Sequence, residues 1–150
     1  MAIGLGANLD DPRGAIRRAA ADLAAGGLED RQLSGFWVTA PEDCVPGTPD
    51  FVNAAVIGSW RGSAPELRAL CKEIELRAGR PAAHSSREAR VVDLDLLLFG
   101  NQEIHLPELT VPHPRLRQRR FALAPLAELA PDWRLPPDGI TVAEALRSLG

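Results

Sequence analysis

The chain has 150 residues, 45% of them hydrophobic and 25% charged, with a net charge of −3. That is the make-up of one globular domain, residues 1–150, able to bury roughly two thirds of its chain surface. The slight acidic excess argues against a nucleic-acid or membrane surface, so any phosphate ligand needs a local basic site.

Ala2 to Leu5 form a short opening strand that ends in the turn Gly6-Ala7-Asn8. Asp11-Pro12 supplies an N-cap and a Pro at the first helical position, and Ile16, Ala20 and Leu23 then give one helical face up to Gly26-Gly27. Leu33 to Thr39 reads as a second strand, followed by a Pro- and acid-rich loop from Ala40 to Asp50. A third strand runs from Phe51 to Trp60, with Phe51, Asn53, Ala55 and Ile57 on one face. Ser63-Ala64-Pro65-Glu66 is a capping box that opens a second helix, whose Leu67, Leu70, Cys71 and Ile74 form the apolar stripe. After Gly79 comes a polar, small-residue segment, Pro81 to Ala89, and then a strand from Arg90 to Phe99. The order β-α-β-β-α-β predicts an α+β, ferredoxin-like core: a mainly antiparallel sheet with helices packed on one face. A C-terminal helical extension follows, with a helix from about Arg115 to Glu128 and a short one opened by the box Thr141-Val142-Ala143-Glu144.

No apolar run approaches the roughly 18 residues of a membrane-spanning helix. Met1-Ala2-Ile3 lacks the regions of a secretory leader, and Cys44 and Cys71 make no disulfide framework. A cytoplasmic protein with reduced thiols is expected. His84, His105 and His113 share no metal-ligand spacing.

The strand Arg90-Val91-Val92-Asp93-Leu94-Asp95-Leu96-Leu97-Leu98-Phe99 is the most informative stretch. Side chains alternate along a strand, so Asp93 and Asp95 leave one face roughly 6.5–7 Å apart. Like charges at about 6 Å repel by about 3 kcal/mol at an effective dielectric of 20. A cation between them removes the repulsion, and hard oxygen ligands favour Mg²⁺, which commonly accompanies a phosphate. Arginine partners on a solvated sheet face would serve as well. Arg80 and Arg90 flank the segment that leads into the carboxylates, where guanidinium forks could grip a polyphosphate or simply face water. His113, fixed between Pro112 and Pro114, is held rigidly, as a phosphate donor would be. Arg115, Arg117, Arg119 and Arg120 follow it, and four arginines in six residues are more often a solvated helix face. Thr39, Phe51 and Asn53 combine an aromatic ring with groups that donate and accept, which suits a flat heterocycle, although taken alone Phe51 reads as a core residue and Asn53 as a strand-end polar residue.

Together the segments Gly6-Ala7-Asn8-Leu9, Phe36-Trp37-x-Thr39, Asp50-Phe51-Val52-Asn53-Ala54-Ala55, Ile74-Glu75-Leu76, Arg90-x-x-Asp93-Leu94-Asp95, Leu109-Thr110-Val111-Pro112-His113, Arg119-x-Phe121 and Pro125-Leu126 occur in one order. In that order they resemble the 6-hydroxymethyl-7,8-dihydropterin pyrophosphokinase family of folate biosynthesis. The resemblance runs from the first strand to about Leu135. It implies a ferredoxin-like fold and a diphosphokinase that moves a diphosphoryl group from ATP to the pterin hydroxymethyl oxygen, releasing AMP. It implies that Asp93 and Asp95 hold two Mg²⁺ ions and that Arg80, Arg90, His113 and Arg119 contact phosphate. Thr110 would lie near the nucleoside, with Glu75 a supporting contact near the nucleotide. Thr39, Phe51, Asn53 and Phe121 would form the pterin slot, Phe121 stacking on the ring. Pro81 to Ala89 would be a lid that closes over MgATP and pterin. ATP and the dihydropterin are then the partners; neither nucleic acid nor membrane is expected, and the chain is expected to be a monomer. The alternative is a non-catalytic pterin- or nucleotide-binding domain of the same fold, disfavoured because a mere binder has no need of both aspartates.

Overall fold

The structure, a computed structural model, describes residues 1–8, 10–40, 47, 49–79 and 92–150. In chain order its elements are β1 (Ala2–Ala7), α1 (Pro12–Ala25), β2 (Glu29–Leu33), β3 (Trp37–Thr39), β4 (Phe51–Ser59), α2 (Ala64–Gly79) and β5 (Asp93–Leu98). A hairpin of β6 (Ile104–Leu106) and β7 (Leu109–Val111) follows, then a 3₁₀ turn at Leu116–Gln118 and α3 (Arg120–Leu129). A second hairpin, β8 (Arg134–Leu135) and β9 (Ile140–Thr141), leads into α4 (Val142–Ser148). The main sheet runs β2-β4-β1-β5, with β3 also pairing with β4, and every pairing is antiparallel.

The expected helix starts form as the sequence dictates. The Asp11 carboxylate accepts the Gly14 N–H at 3.1 Å at the head of α1. Ser63 and Glu66 close a reciprocal box at α2, Ser63 Oγ accepting from Glu66 N at 3.2 Å and Glu66 Oε1 from Ser63 N at 2.7 Å. Thr141 and Glu144 do the same at α4. Each cap satisfies N–H groups that the helix itself leaves unpaired.

Alternation along the central strands divides the apolar residues between two faces. Ile3 and Leu5 of β1, Val52 and Val56 of β4, and Leu94 and Leu96 of β5 pack with Ile16 and Leu23 of α1 and Leu67 and Ile74 of α2. The opposite face buries Ala2, Ala55, Ile57, Leu97 and Leu98 against Leu116, Leu123 and Leu126. Thus α1 and α2 share one face as expected, while the C-terminal extension covers the other. A register shift between Ala2 and Ile3 against β5 leaves an extra residue there, so Leu97 and Leu98 both reach the second core.

Four boundaries differ from expectation. β1 continues through Gly6 and Ala7, which pair with β4 and so are not a turn. The strand expected from Arg90 to Phe99 is β5, Asp93–Leu98, within the described residues. The helix expected from Arg115 to Glu128 is instead a 3₁₀ turn and α3, separated by Arg119, whose backbone is extended. The strand expected from Leu33 to Thr39 is β2 and β3 with a bulge between them. Leu33 sits opposite Val56 and Trp37 opposite Asn53, one residue more than β4 supplies. Ser34, buried in this bulge, donates its N–H to Ala55 O at 2.9 Å and accepts Ala55 N–H on Oγ at 2.9 Å. The inserted residue resets the alternation. Leu33 and Phe36 pack on the α1 side, with the Arg17 guanidinium 5.0 Å from the Phe36 ring, whereas Trp37 and Thr39 line the opposite face.

Arg117 turns away from that face and pairs with Asp138 in the β8–β9 turn at 2.7 and 3.0 Å. The hydrogen bonds from Arg117 hold the exposed Asp138 carboxyl at about 2, against an ordinary 3.8. A depressed carboxyl stabilises the fold fully above about pH 4 and loses that contribution as pH falls through about 2. The small stability difference between the unaltered chain and Asp138→Asn should therefore shrink as pH falls from about 4 and vanish below about 2, as thermal denaturation at a series of pH values would show.

Candidate functional site

Register places the predicted residues in rows across one face of the sheet. Trp37 on β3 is opposite Asn53 on β4, Asn53 is opposite Gly6 on β1, and Gly6 is opposite Asp93 on β5. In the neighbouring rows Thr39 lies opposite Phe51, and Ala55, Gly4 and Asp95 follow one another. With strands about 4.8 Å apart, Asn53 and Asp93 stand roughly 10 Å from each other, and glycine alone lies between them. All of these except the buried Ala55 floor a cleft of about 790 Å³, and its other wall comes from the segment His113 to Ala124. The open floor exists because two strand positions carry no side chain. A Cβ on Gly6 would lie 3.3 Å from Asn53 Oδ1, and one on Gly4 would lie 3.3 Å from Leu97 Cδ1.

At one end of the cleft Asn53 is buried, and its Nδ2 donates to Thr39 Oγ1 at 3.0 Å and to Trp37 O at 3.4 Å. Those bonds use its donors. Oδ1 is left toward the Gly6 side as an acceptor, and the Thr39 hydroxyl keeps its own proton to donate. Trp37 is 41% exposed and Phe121 39%, enough ring surface for both to take a planar ligand. Arg119 lies over Phe121 with its guanidinium carbon 5.3 Å from the ring centroid.

At the other end Asp93 and Asp95 are exposed on the cleft face, and Leu94 between them is buried in the first core. β5 is an edge strand, so the Leu94 N–H finds no strand partner on its outer side. Glu75, a largely buried carboxylate of α2, accepts it at 2.7 Å and also lies 3.7 Å from Lys72 Nζ. Glu75 lines neither the main cleft nor its neighbour. It fixes the backbone that carries the aspartates. Two hard carboxylates held on one face, with cationic side chains across the cleft, fit divalent cations bound together with a phosphate chain.

Asp95 and His113 also border a second cavity of about 290 Å³, lined by Arg68, Lys72 and Thr110 among others. The His113 backbone N–H bonds to Leu97 O at 3.0 Å, and its Nδ1 accepts the Arg115 N–H at 3.1 Å. Burial lowers the His113 pKa, Arg119 and Arg115 adding to the effect and Asp95 opposing it. An uncharged ring whose Nδ1 accepts the Arg115 N–H carries its proton on Nε2. Cys71, at the wall of this cavity, is a free thiol whose pKa burial raises to about 12, with help from Glu75 and Asp95, so it stays protonated and inert.

The structure thus brings together Thr39, Phe51, Asn53, Phe121, Asp93, Asp95, His113 and Arg119, sets Thr110 in the adjoining cavity, and keeps Glu75 behind β5. Arg80, Arg90 and the expected lid from Pro81 to Ala89 lie outside the described residues, as does Cys44. Of the arginine run, Arg115, Arg119 and Arg120 line the cleft. Sequence reasoning missed Trp37, Gly4 and Gly6 as lining residues. A period of two read backward from Thr39 would have found Trp37.

Comparison with solved structures supports the fold. A crystal structure described as HPPK-DHPS in complex with substrates superposes with a TM-score of 0.74 at 13% identity, over 98% of this chain and 42% of the other. The wild-type Plasmodium falciparum HPPK-DHPS with SDX-DHP gives a TM-score of 0.69 at 14% identity, over 98% of this chain and 43% of the other. This chain therefore spans less than half the length of those proteins. Fold and cleft together define a ferredoxin-like α+β domain with a carboxylate pair at one end of its cleft and an aromatic, hydrogen-bonding pocket at the other.

Residues 2–131 match the family 7,8-dihydro-6-hydroxymethylpterin-pyrophosphokinase (HPPK). Two bacterial proteins, each named 2-amino-4-hydroxy-6-hydroxymethyldihydropteridine pyrophosphokinase, are similar over most of their own length. The Pseudomonas aeruginosa protein is 38% identical over 96% of this chain and 88% of its own. The Synechocystis protein is 33% identical over 98% of this chain and 74% of its own. The chain belongs to the HPPK family.

Proposed function

We propose that this chain transfers a diphosphoryl group from ATP to the hydroxymethyl oxygen of 6-hydroxymethyl-7,8-dihydropterin, giving the pterin diphosphate and AMP in folate biosynthesis. Family membership supports the reaction. The observation that carries the assignment of residues is the row Asn53, Gly6, Asp93, which runs from a heterocycle slot across an empty strand position to a carboxylate pair.

In this reading Thr39 and Asn53 hydrogen-bond the edge of the pterin, while Phe51 and Phe121 enclose its faces. The hydroxymethyl group then extends over Gly6 toward Asp93 and Asp95. These two aspartates would hold two Mg²⁺ ions, which when bound neutralise charge on the triphosphate. Arg119 and the neutral His113, with its Nε2 proton, bind phosphate oxygens, and Thr110 in the adjoining cavity contacts the nucleoside. Arg80 and Arg90, outside the described residues, keep the phosphate roles that the resemblance gives them. Glu75 acts from behind, holding the Leu94 N–H so that both aspartates face the cleft. The pterin oxygen attacks the β-phosphorus, the bond from that phosphorus to the α,β-bridging oxygen breaks, and AMP leaves with its electrons. The hydroxyl proton passes to solvent. Little covalent work falls to the protein, and positioning and charge supply most of the rate.

The pterin half of the reading is tested at Asn53. Asn53→Ala should raise the KM for the dihydropterin by about tenfold or more, since a buried hydrogen-bonding edge is lost. The KM for MgATP should stay within about twofold, because the residue contacts no phosphate. Equal changes in both constants would remove Asn53 from the pterin slot.

A further inference from the structure

One side chain joins the two walls of the cleft. Glu128 of α3 accepts the Gly35 N–H on Oε2 at 2.9 Å and the Trp37 indole N–H on Oε1 at 3.3 Å. Gly35 lies in the bulge between β2 and β3, where the inserted residue interrupts the ladder. A Cβ on Gly35 would be 3.4 Å from Glu128 Oε1, so the carboxylate sits directly on this stretch of chain. The indole is a donor only, and Glu128 is its acceptor. Trp37 is also the first residue of the row that continues through Asn53 and Gly6 to Asp93. Phe121 and Glu128 are seven residues apart on α3, hence on one helix face, so the element that carries one aromatic wall also tethers the other.

We propose that Glu128 is a positioning residue for the heterocycle: by holding the Gly35 N–H and the Trp37 indole N–H it fixes Trp37 as a third aromatic surface of the slot, in addition to Phe51 and Phe121. The proposal rests on reading this cleft as the pterin site. It adds Trp37 as a ring contact and assigns a role to a carboxylate that touches neither substrate. Pre-set side chains bind more tightly than ones that must be ordered on binding, so loss of the tether should show in pterin affinity alone.

The test uses protein labelled with 5-fluorotryptophan, which reports Trp37, Trp60 and Trp133 by fluorine NMR, with Trp37→Phe assigning the first resonance. Glu128→Ala should move or broaden the Trp37 resonance and leave the other two in place. It should weaken 6-hydroxymethyl-7,8-dihydropterin, titrated with Mg²⁺ and a non-hydrolysable ATP analogue, by about tenfold, with analogue affinity changed by less than about twofold. Glu128→Gln, whose amide oxygen still accepts one N–H, should restore pterin affinity to within about threefold. In the Trp37→Phe background, Glu128→Ala should cost no more than about twofold further. An unmoved Trp37 resonance, or equal loss of pterin and nucleotide affinity, would overturn the proposal. Failure of the unaltered protein to bind the pterin would overturn the reading of the slot and the pterin part of this proposal, while the Trp37 resonance would still decide whether Glu128 holds the ring.

Discussion

Replacing Asp93 or Asp95 with Asn is expected to lower turnover by at least about a thousandfold, since metal-assisted charge stabilisation is worth several kcal/mol. Dihydropterin affinity should stay within about twofold, because Thr39, Asn53 and the aromatic rings occupy strands β3 and β4 and helix α3, not β5. An amide keeps the shape of the side chain but not its charge, so it cannot hold a divalent cation against a triphosphate. The fold should be indifferent to the change, as both side chains are exposed on the cleft face and the buried residue of the trio is Leu94. Steady-state kinetics together with direct pterin titration would separate the two effects. Variants that fold and turn over at near the normal rate would remove the metal role from this pair.

Gly6→Val is expected to abolish useful turnover by a different route. Gly6 lies in the central strand with no positive φ, and Val is at ease in a strand, so the sheet should form. The added Cβ, however, would come within 3.3 Å of Asn53 Oδ1, and the branching methyls would fill the gap toward Asp93. Nucleotide affinity should remain within about threefold while turnover falls by at least about a hundredfold, the acceptor oxygen being held off the phosphorus. Normal activity in Gly6→Val would mean that the hydroxymethyl group does not cross this strand position.

Much of this site was legible in the sequence because its logic is local. Asp93 and Asp95 share a face by strand alternation, and α1 and α2 announce themselves by caps and apolar stripes that the structure reproduces. What escaped was set by contacts distant in the chain. The bulge that points Trp37 and Thr39 at the cleft depends on Ser34 bonding to Ala55, and nothing between Leu33 and Thr39 marks the extra residue. Which arginines of the run after His113 face the cleft is settled partly by Asp138, which captures Arg117. Glu75 was singled out through resemblance alone. Its bond to Leu94 N follows from β5 being an edge strand, which a sequence does not display. The hairpins β6–β7 and β8–β9 have strands of three and two residues, too short for periodicity to register.

The most direct measurement is the identity of the nucleotide product when the chain is incubated with ATP, Mg²⁺ and 6-hydroxymethyl-7,8-dihydropterin. AMP and pterin diphosphate formed in equal amounts is the expected result, because the proposed reaction joins the acceptor oxygen to the β-phosphorus. ADP with a singly phosphorylated pterin, or nucleotide turnover that does not depend on the pterin, would contradict it.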